Sequence, residues 1–353
     1  MPDELKTARE LRTDAVDFSF GEIVNLHSDG EIIISPEYQR LFRWSDEQKS
    51  RLIESILVQL PIPPIFLIEN DDGILELIDG LQRVSSVIQF IAPAKIQKEA
   101  LRLVGCDLVK ELNGKVFDNL SLPDRLRIKR TPIRAIIIKR QGSSYIKYEL
   151  FKRLNTGGSL LSAQEIRNCS SRMIEGGEDF YANIKLLAAY GPFKTAISRL
   201  PENAVNEKGD EELVLRFFAV KNFIYGYHGN VQEWLDSYME AILFKNEEFD
   251  FVKERAIFEN VFALISEKFE GDAFARHRDG YPQGRLAPAY FEAVVGGILP
   301  NMEIVRRKPS ETLKTALTAV FESDEFRKVT GPGANTIEKL NARIRLVSEC
   351  LSA

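Results

Sequence analysis

The stretch from Ile74 to Ile91 changes its hydrophobic period halfway and constrains the fold more than any other part of the chain. Its first five residues are mostly aliphatic and follow a turn signal, which predicts a buried strand. After Gly80 the apolar residues recur at three- and four-residue spacing, which predicts a helix. Asp79 and Gly80 are therefore expected to form a strand-to-helix turn.

The first turn of this predicted helix carries Gln82 and Arg83 beside backbone N–H groups that lack helical acceptors. A helix N-terminus attracts anions, and a guanidinium binds a phosphate through paired hydrogen bonds. A cation in a first turn also opposes the helix dipole, which favours a ligand there. Ordinary capping is the alternative, because Asp and Gly are common in such turns.

A net charge of −5 argues against a wholly basic nucleic-acid-binding protein, but the charge is uneven. Residues 95–140 contain 12 Lys or Arg against 5 Asp or Glu, whereas residues 202–272 contain 7 against 16. The basic segment is a candidate DNA-binding surface, although two differently charged solvated faces would give the same asymmetry. Its predicted helix, residues 122–130, carries four cations: Arg125, Arg127, Lys129 and Arg130.

Cysteine and histidine are scarce in this chain of 353 residues, with three of each. The cysteines are far apart, which excludes a disulfide scaffold and a Cys-based zinc site. With so few histidines, a His-rich metal site or an HNH-type nuclease centre is hard to build. No apolar run approaches membrane-spanning length, and the charged N-terminus does not resemble a signal peptide. We expect a cytoplasmic protein with no membrane partner.

The distribution of strand and helix signals predicts an α+β protein. Residues 1–14 are predicted to be a polar tail, and residues 15–170 a mixed domain with strands at 31–34, 65–68, 74–78, 101–104 and 133–138. Within residues 171–353 strand signals nearly vanish and helical spacing prevails, which predicts an all-helical domain. The basic segment around Arg276 and Arg285 is expected to be a loop, which either contacts nucleic acid or is simply exposed to solvent.

Two further segments have the composition of binding elements. Residues 36–44 combine two arginines and two aromatic residues without a clear period, just before a predicted helix. Residues 151–158 end a predicted helix with Asn155, Thr156 and a glycine pair. Asn followed by glycine is a normal helix stop, and the same glycines let backbone N–H groups approach an anion closely.

Four motifs, in this order and spacing, resemble the N-terminal domain of GmrSD-type modification-dependent restriction systems, a branch of the ParB/sulfiredoxin-like superfamily. They are Tyr38-Gln39-Arg40 with Trp44, Leu60–Pro64, Ile78–Arg83 and Arg153–Gly158. The likeness covers about residues 15–168, and nothing in the chain resembles the HNH nuclease domain that often accompanies such domains. The chain is therefore similar to a stand-alone member of the family.

The resemblance implies a ParB-like domain that binds, and in several members hydrolyses, nucleoside triphosphates in bacterial defence against phage DNA. Asp79, Gly80, Gln82 and Arg83 fall on the family's Asp-Gly-Gln-Gln-Arg motif, in which Leu81 replaces the first Gln. Tyr38, Gln39 and Arg40 fall on its Tyr-Gln-Arg motif. If DNA is cut, we expect a separate nuclease or toxin protein to cut it, and assembly into a homo-oligomer is compatible with the sequence.

These observations predict a Mg²⁺-dependent nucleoside triphosphatase associated with DNA. Arg40, Arg43 and Arg83 are expected to converge on the triphosphate, and Asn155 with Thr156 to close over it. Asp79 is the expected Mg²⁺ ligand and, with Gln82 and Arg83, the expected catalytic set. The alternatives are a non-catalytic nucleotide- or DNA-binding switch, whose helical half docks a nuclease or toxin, and a self-sufficient DNase.

Overall fold

The computed structural model describes residues 12–34, 44–70, 72–139, 149, 152–153, 162–172, 174–245, 247–331 and 333–353. Its contacts divide the chain into two compact units, Met1–Ser159 and Leu160–Ala353. The domain boundary expected between residues 170 and 171 stays a prediction, because a division of the chain by contacts does not by itself define where a domain ends. Within the described ranges, no helix combines the length and apolarity needed to cross a membrane.

The first unit is built on a five-stranded mixed sheet. Its strands are β1 (Arg12–Ser19), β2 (Ile32–Ile33), β3 (Ile65–Glu69), β4 (Leu75–Asp79) and β5 (Pro132–Lys139). In the spatial order β1-β5-β3-β4-β2, antiparallel and parallel pairs alternate. β3 is therefore central, and β4 lies beside it with its carboxyl end at Asp79.

Four helices of the first unit bury their apolar stripes together with the sheet. They are α1 (Phe20–Ser28), α2 (Asp46–Leu57), α3 (Leu81–Ile91) and α4 (Leu122–Arg130). The core joins residues from each of these helices and from β3, among them Phe20, Ile53, Ile65, Val87 and Ile128, all at most 1% exposed. Capping boxes begin α1 at Ser19 with Glu22 and α2 at Ser45 with Gln48.

Two parts of the first unit differ from the prediction. β1 begins at Arg12, within the segment predicted to be a polar tail, and pairs along its length with β5. The strand predicted at residues 101–104 is wrong. Leu103 instead exchanges backbone hydrogen bonds with the turn at Gly114 and Lys115, so its N–H and C=O groups are satisfied without a sheet partner.

A buried carboxylate holds the following loop onto α2. Glu54 is 3% exposed, and its Oε1 accepts hydrogen bonds from the backbone N–H groups of Leu108 and Val109 at 2.8 and 2.7 Å. Its Oε2 accepts a third, longer bond from Asp107 N at 3.4 Å. A carboxylate that replaces water with backbone donors can remain buried, and this one fixes a segment without regular structure.

The second unit is mainly helical, which confirms the mixed α+β class with helices in the C-terminal half. Its helices are α5 (Ala163–Ser171), α6 (Gly177–Ala188), α7 (Gly191–Ala196), α8 (Glu202–Asn206), α9 (Gly209–Asn222), α10 (Val231–Leu243), α11 (Phe251–Phe269), α12 (Pro288–Ile298), α13 (Met302–Arg307), α14 (Ser310–Glu322), α15 (Asp324–Thr330) and α16 (Ile337–Ser352). It also contains one hairpin, β6 (Ala275–Arg278) and β7 (Tyr281–Leu286).

This hairpin was not predicted, and the basic segment at Arg276 is a strand rather than a loop. Asp279 and Gly280 connect the strands with φ angles of +53° and +82°. Two successive left-handed residues form the tight turn that matches the twist of a hairpin, and Asp-Gly is a preferred pair for it. The Asp-Gly dipeptide was therefore the sequence signal for this element.

Buried ion pairs run through the second unit. The Glu292 carboxylate accepts a hydrogen bond from Arg216 Nη1 at 2.7 Å and another from Arg343 Nη2. All three side chains are at least 93% buried. Arg167 on α5 is 2% exposed and donates from Nε to Asp236 at 2.7 Å and from Nη1 to Glu212 at 3.3 Å. Each buried charge thus has an opposite partner, as burial of a charge requires.

Candidate phosphate-binding site

The turn between β4 and α3 requires glycine for two independent reasons. Gly80 has a φ angle of +99°, a conformation that residues with a Cβ rarely adopt. A Cβ at this position would also lie only 2.4 Å from Cγ2 of Ile65 on β3. The glycine therefore lets the chain turn tightly against the central strand, so that α3 begins directly at the carboxyl end of β4.

Arg83 folds back over this turn and is held there from one side. Its Nη2 donates to Oδ2 of Asp79 at 2.9 Å and to the carbonyl of Pro64 at 3.1 Å. The Arg83 side chain is 18% exposed and that of Asp79 is 31% exposed. Nε of Arg83 is buried and has no hydrogen-bond partner in the described part of the chain. The guanidinium is thus positioned by Nη2 while another of its donors stays unsatisfied.

The Pro64 carbonyl is a site component that sequence analysis did not identify. In the sequence, Leu60–Pro64 contributes to the family resemblance but carries no predicted contact with the turn. A proline-rich extended segment makes no internal backbone hydrogen bonds, so its carbonyls are available to a neighbouring donor. That property was the signal that could have indicated an acceptor for Arg83.

The N-terminus of α3 is open. Gly80 occupies its N-cap position, and glycine has no side chain with which to cap the helix. Gln82, predicted to be catalytic, accepts a hydrogen bond at its Oε1 from the backbone N–H of Trp44 at 3.2 Å. Gln82 thereby ties Trp44, which follows the predicted Tyr-Gln-Arg motif in sequence, to the first turn of α3.

The structure brings together only part of the predicted site. Asp79, Gly80, Gln82 and Arg83 lie at one turn, as the period change indicated. The remaining predicted phosphate-binding residues lie outside the described residues: Tyr38, Gln39, Arg40, Arg43, Asn155 and Thr156. Their convergence on the turn stays a prediction.

The turn offers the carboxylate of Asp79 as a possible Mg²⁺ ligand. Among the described residues, no group of three or more His, Cys, Asp or Glu side chains is placed to hold a metal ion. Mg²⁺ bound to a nucleotide usually takes one or two carboxylates, with phosphates and water completing its octahedron. Asp79 therefore fits a Mg²⁺ ion that is held jointly with a triphosphate, and Oδ1 is the oxygen not engaged by Arg83.

The four cations predicted to bind DNA all lie on α4, but they divide into two pairs. Arg127 and Arg130 line an open groove of about 530 Å³ together with Gln59, Leu122, Pro123, Leu126, Thr131 and Pro132. Arg127 is partly committed, because its Nη1 donates to the carbonyl of Leu57 at the end of α2. Lys129 lies 5.6 Å from the ring centre of Phe117, and Arg125 has a buried Nε.

A helix places residues three or four apart on one side, so Arg125 and Lys129 share one face and Arg127 and Arg130 another. The pairs are therefore separated around the helix axis. One straight DNA segment could therefore not contact all four cations equally. Arg127 and Arg130, which line the groove, are the better-defined pair.

A five-stranded mixed sheet packed with helices, with a glycine turn at the carboxyl end of β4, defines the first unit as an α+β domain. Residues 20–171 match the family described as the GmrSD restriction endonuclease, N-terminal domain. This segment therefore forms a domain of that family, which confirms the resemblance found in the sequence. The match includes both the β4–α3 turn and α4. No curated protein matches the chain.

Proposed function

We propose that the β4–α3 turn binds the phosphates of a nucleoside triphosphate and that the protein hydrolyses it as part of a restriction-type defence against foreign DNA. The observation that supports this most is the state of Arg83. Its guanidinium is fixed beside an uncapped helix N-terminus, and its Nε is buried without a partner among the described residues. A phosphate oxygen supplies acceptors that this arrangement lacks.

Each residue of the turn has a distinct role in this proposal. Arg83 and the first N–H groups of α3 neutralise phosphate charge, which is the main requirement of phosphoryl transfer. Asp79 positions Arg83 through Oδ2 and would hold Mg²⁺ with its carboxylate, where the ion would supply further charge neutralisation. Gln82 keeps Trp44 at the turn. Gly80 allows the phosphates to approach the backbone.

The remaining predicted residues complete the proposed site from outside the described ranges. Arg40 and Arg43, with Tyr38 and Gln39, supply further phosphate contacts. Asn155 and Thr156 close over the nucleotide. These roles rest on the family resemblance. Alanine substitution of each residue, followed by the phosphate-release assay used for the turn, tests them.

We also propose that α4 contacts DNA phosphates through Arg127 and Arg130, with Arg125 and Lys129 in supporting positions. An open groove with two guanidinium groups at its wall suits a polyanion more than an apolar ligand. Replacing Arg127 and Arg130 by alanine should weaken DNA binding and flatten its salt dependence, because counterion release accounts for much of the affinity.

Phosphate release by purified protein tests the hydrolytic proposal. Each nucleoside triphosphate is supplied with Mg²⁺, with and without DNA. We expect Asp79→Ala and Arg83→Ala to lose roughly a hundredfold or more in rate while retaining the fold. Arg51→Ala is the matched control, because Arg51 is 65% exposed in the same unit and pairs with an exposed aspartate. Wild-type rates in both turn variants would refute the proposal.

A second function is favoured by one observation. Oδ2 of Asp79 is already engaged by Arg83, so full use of Asp79 as a metal ligand competes with this ion pair. The turn then binds nucleotide or DNA phosphate as a switch without turnover, and the helical half docks a separate nuclease or toxin. A fluorescent triphosphate analogue that binds wild-type protein, fails to bind Arg83→Ala and is not hydrolysed would establish this function.

A further inference from the structure

The hairpin of the second unit presents a regular, positively charged face to solvent. Arg276 pairs with Gln283 across the two strands, and Arg278 pairs with Tyr281. Side chains alternate between the two faces of a strand, so these four lie on one face. All four are exposed, with Tyr281 at 72% and the Arg278 side chain at 77%. We call this surface, together with Arg285, the ribbon face.

Arg285 joins the ribbon face because of a bulge in β7. The register shifts between Ala275 and Arg276, which leaves Gly284 and Arg285 without strand partners. Gly284 has a φ angle of +74°, and its carbonyl accepts a hydrogen bond from Arg199. Bulges of this kind redirect a side chain. Arg285 is exposed in this bulge, two residues after Gln283 on the same strand.

The opposite face of the hairpin is fixed to α14. His277 contacts Thr318 through Nδ1 and Oγ1 at 2.7 Å, and its ring meets Phe321 edge to face at 5.2 Å. The N–H of Gly280 in the turn donates to Oε1 of Glu322 at 2.8 Å. The ribbon is therefore supported along its length, and its solvent face is arranged before any partner arrives.

Carboxylates near the ribbon neutralise little of its charge. Among the described residues, Arg276 and Arg285 have no ion-pair partner, and Arg278 lies 3.5 Å from Asp279 in a pair that is almost fully exposed. Such a pair contributes little and yields readily to a competing phosphate.

We propose that the ribbon face is a second DNA-binding surface, on which the three arginines contact duplex DNA and Tyr281 packs against a sugar or base edge. A two-stranded ribbon fits the major groove, whose width is about 12 Å. Arginine reads guanine and glutamine reads adenine from that groove, and the ribbon face presents both residue types. The inference rests on the proposed association with DNA, but neither on nucleotide hydrolysis nor on α4.

The shape of the ribbon distinguishes duplex DNA from other polyanions. Duplex RNA has a deep, narrow major groove that a ribbon cannot enter. An acidic protein surface has no groove in which Arg276 and Gln283 could both contact base edges. A preference for duplex DNA over duplex RNA of the same sequence is therefore the specific expectation.

Fluorescence anisotropy with a labelled short duplex, at several salt concentrations, tests the proposal on the full chain. We expect the triple variant Arg276→Ala, Arg278→Ala, Arg285→Ala to bind more weakly. Its log–log salt slope should be smaller by about 2 to 3, since each lost phosphate contact removes roughly 0.9. Tyr281→Ala should lower affinity while leaving the slope unchanged, because it removes no charge.

The matched control is Arg345→Ala together with Arg306→Ala and Arg255→Ala. These arginines are exposed in the same unit, pair with nearby glutamates on their own helices and lie outside the ribbon. The control removes the same charge, so an equal loss in both variants would overturn the proposal. Equal affinity of wild-type protein for DNA and RNA duplexes, or no DNA binding at low salt, would overturn it as well.

The same variants separate this inference from the proposed function. Phosphate release should be unchanged in the ribbon variant, because the ribbon is not part of the nucleotide site. If the ribbon variant binds DNA as wild type does and the Arg127→Ala, Arg130→Ala variant does not, the ribbon inference fails while the α4 proposal stands. The reverse result supports the ribbon and removes α4.

Discussion

Nη2 of Arg83 lies 2.9 Å from Oδ2 of Asp79, four residues earlier in the chain. The spacing is that of a helical ion pair, but Asp79 belongs to β4 and only Arg83 to α3. The contact therefore exists because Gly80 turns the chain back on itself. It links the conformation of one glycine to the position of the only site cation within the described residues.

Arg83→Lys should separate charge from geometry at this turn. Lysine keeps the positive charge, but its single ammonium cannot reproduce the planar fork that spans Asp79 and the Pro64 carbonyl while retaining further donors. We expect nucleotide affinity to fall by about tenfold or more, equivalent to about 1.4 kcal/mol. The free energy of unfolding should change by less than about 1 kcal/mol, since the pair is partly exposed.

Titration with a fluorescent triphosphate and urea unfolding of the same preparation give both quantities. Nucleotide affinity equal to that of wild type would show that charge alone suffices at position 83.

Gly80→Ala and Gly73→Ala provide a matched pair of turn substitutions. Both glycines have positive φ, +99° and +78°, but an added Cβ at position 73 meets nothing within 4 Å. Gly73→Ala should cost about 1 to 2 kcal/mol, the usual penalty of a left-handed alanine. Gly80→Ala adds the overlap with Ile65 and should cost about 3 kcal/mol or more. Equal losses in urea unfolding would contradict the role of Ile65.

Glu54→Ala should release the loop that follows the predicted but absent strand. The substitution leaves the N–H groups of Asp107, Leu108 and Val109 without their acceptor, at a cost of about 3 kcal/mol. Glu54→Gln keeps one oxygen and should lose less. Hydrogen exchange at these three amides and urea unfolding report the effect. Glu47→Ala, at an exposed position of the same helix, should change stability by at most about 0.5 kcal/mol.

Glu292→Ala should strongly destabilise the second unit. It removes the carboxylate shared by Arg216 and Arg343. Arg216 keeps its ion pair with Glu212, but Arg343 stays buried without the Glu292 carboxylate, at a cost of about 4 kcal/mol. Replacing the three residues together by Met, Leu and Met should recover much of this loss, because apolar side chains need no partner. A triple variant less stable than Glu292→Ala alone would contradict this account.

His277 should make the stability of the second unit depend on pH. Burial lowers the pKa of His277, against the smaller opposing effects of Asp272 and Glu322, and Arg199 lowers it further. The unfolded chain therefore binds a proton more readily than the folded chain as pH falls through about 6.5, so acidification destabilises the fold. Stability should rise from pH 5 to pH 7.5 and then level off for this group.

His277→Asn should flatten this dependence when thermal unfolding is followed across that range. His228→Asn, at an exposed position, is the control and should leave the dependence unchanged. An unchanged pH profile in His277→Asn would assign the effect to other groups.

The sequence predicted those features that depend on local pattern. The change of period at Gly80 has its counterpart in the structure. The capping boxes at Ser19, Ser45 and Ser162 follow a comparably local pattern, a serine with Glu or Gln three residues later. Each is decided within a few residues of chain. The class of the fold followed from the same signals, because strand patterns end before the helical half begins.

The features that were missed depend on residues distant in sequence. Residues 101–104 have the composition of a strand, but their backbone bonds to Ser50 and to the turn at Lys115 instead of a sheet. One hydrogen-bond acceptor of Arg83 is the Pro64 carbonyl, which lies 19 residues earlier in the chain. The hairpin of the second unit carries few apolar residues, since one face is charged and the other rests on α14, so the usual alternation of hydrophobicity was absent.

The burial of Arg167 has a practical consequence for dissecting the protein. The family match ends at residue 171 and so includes α5, yet the carboxylates that neutralise Arg167 belong to α9 and α10. A fragment cut at the end of the match would carry a helix whose guanidinium has lost its counterions and whose apolar side is bare. Chimeras and truncations should therefore join between Ser159 and Ser162, which keeps Asn155 and Thr156 with the first unit and α5 with the second.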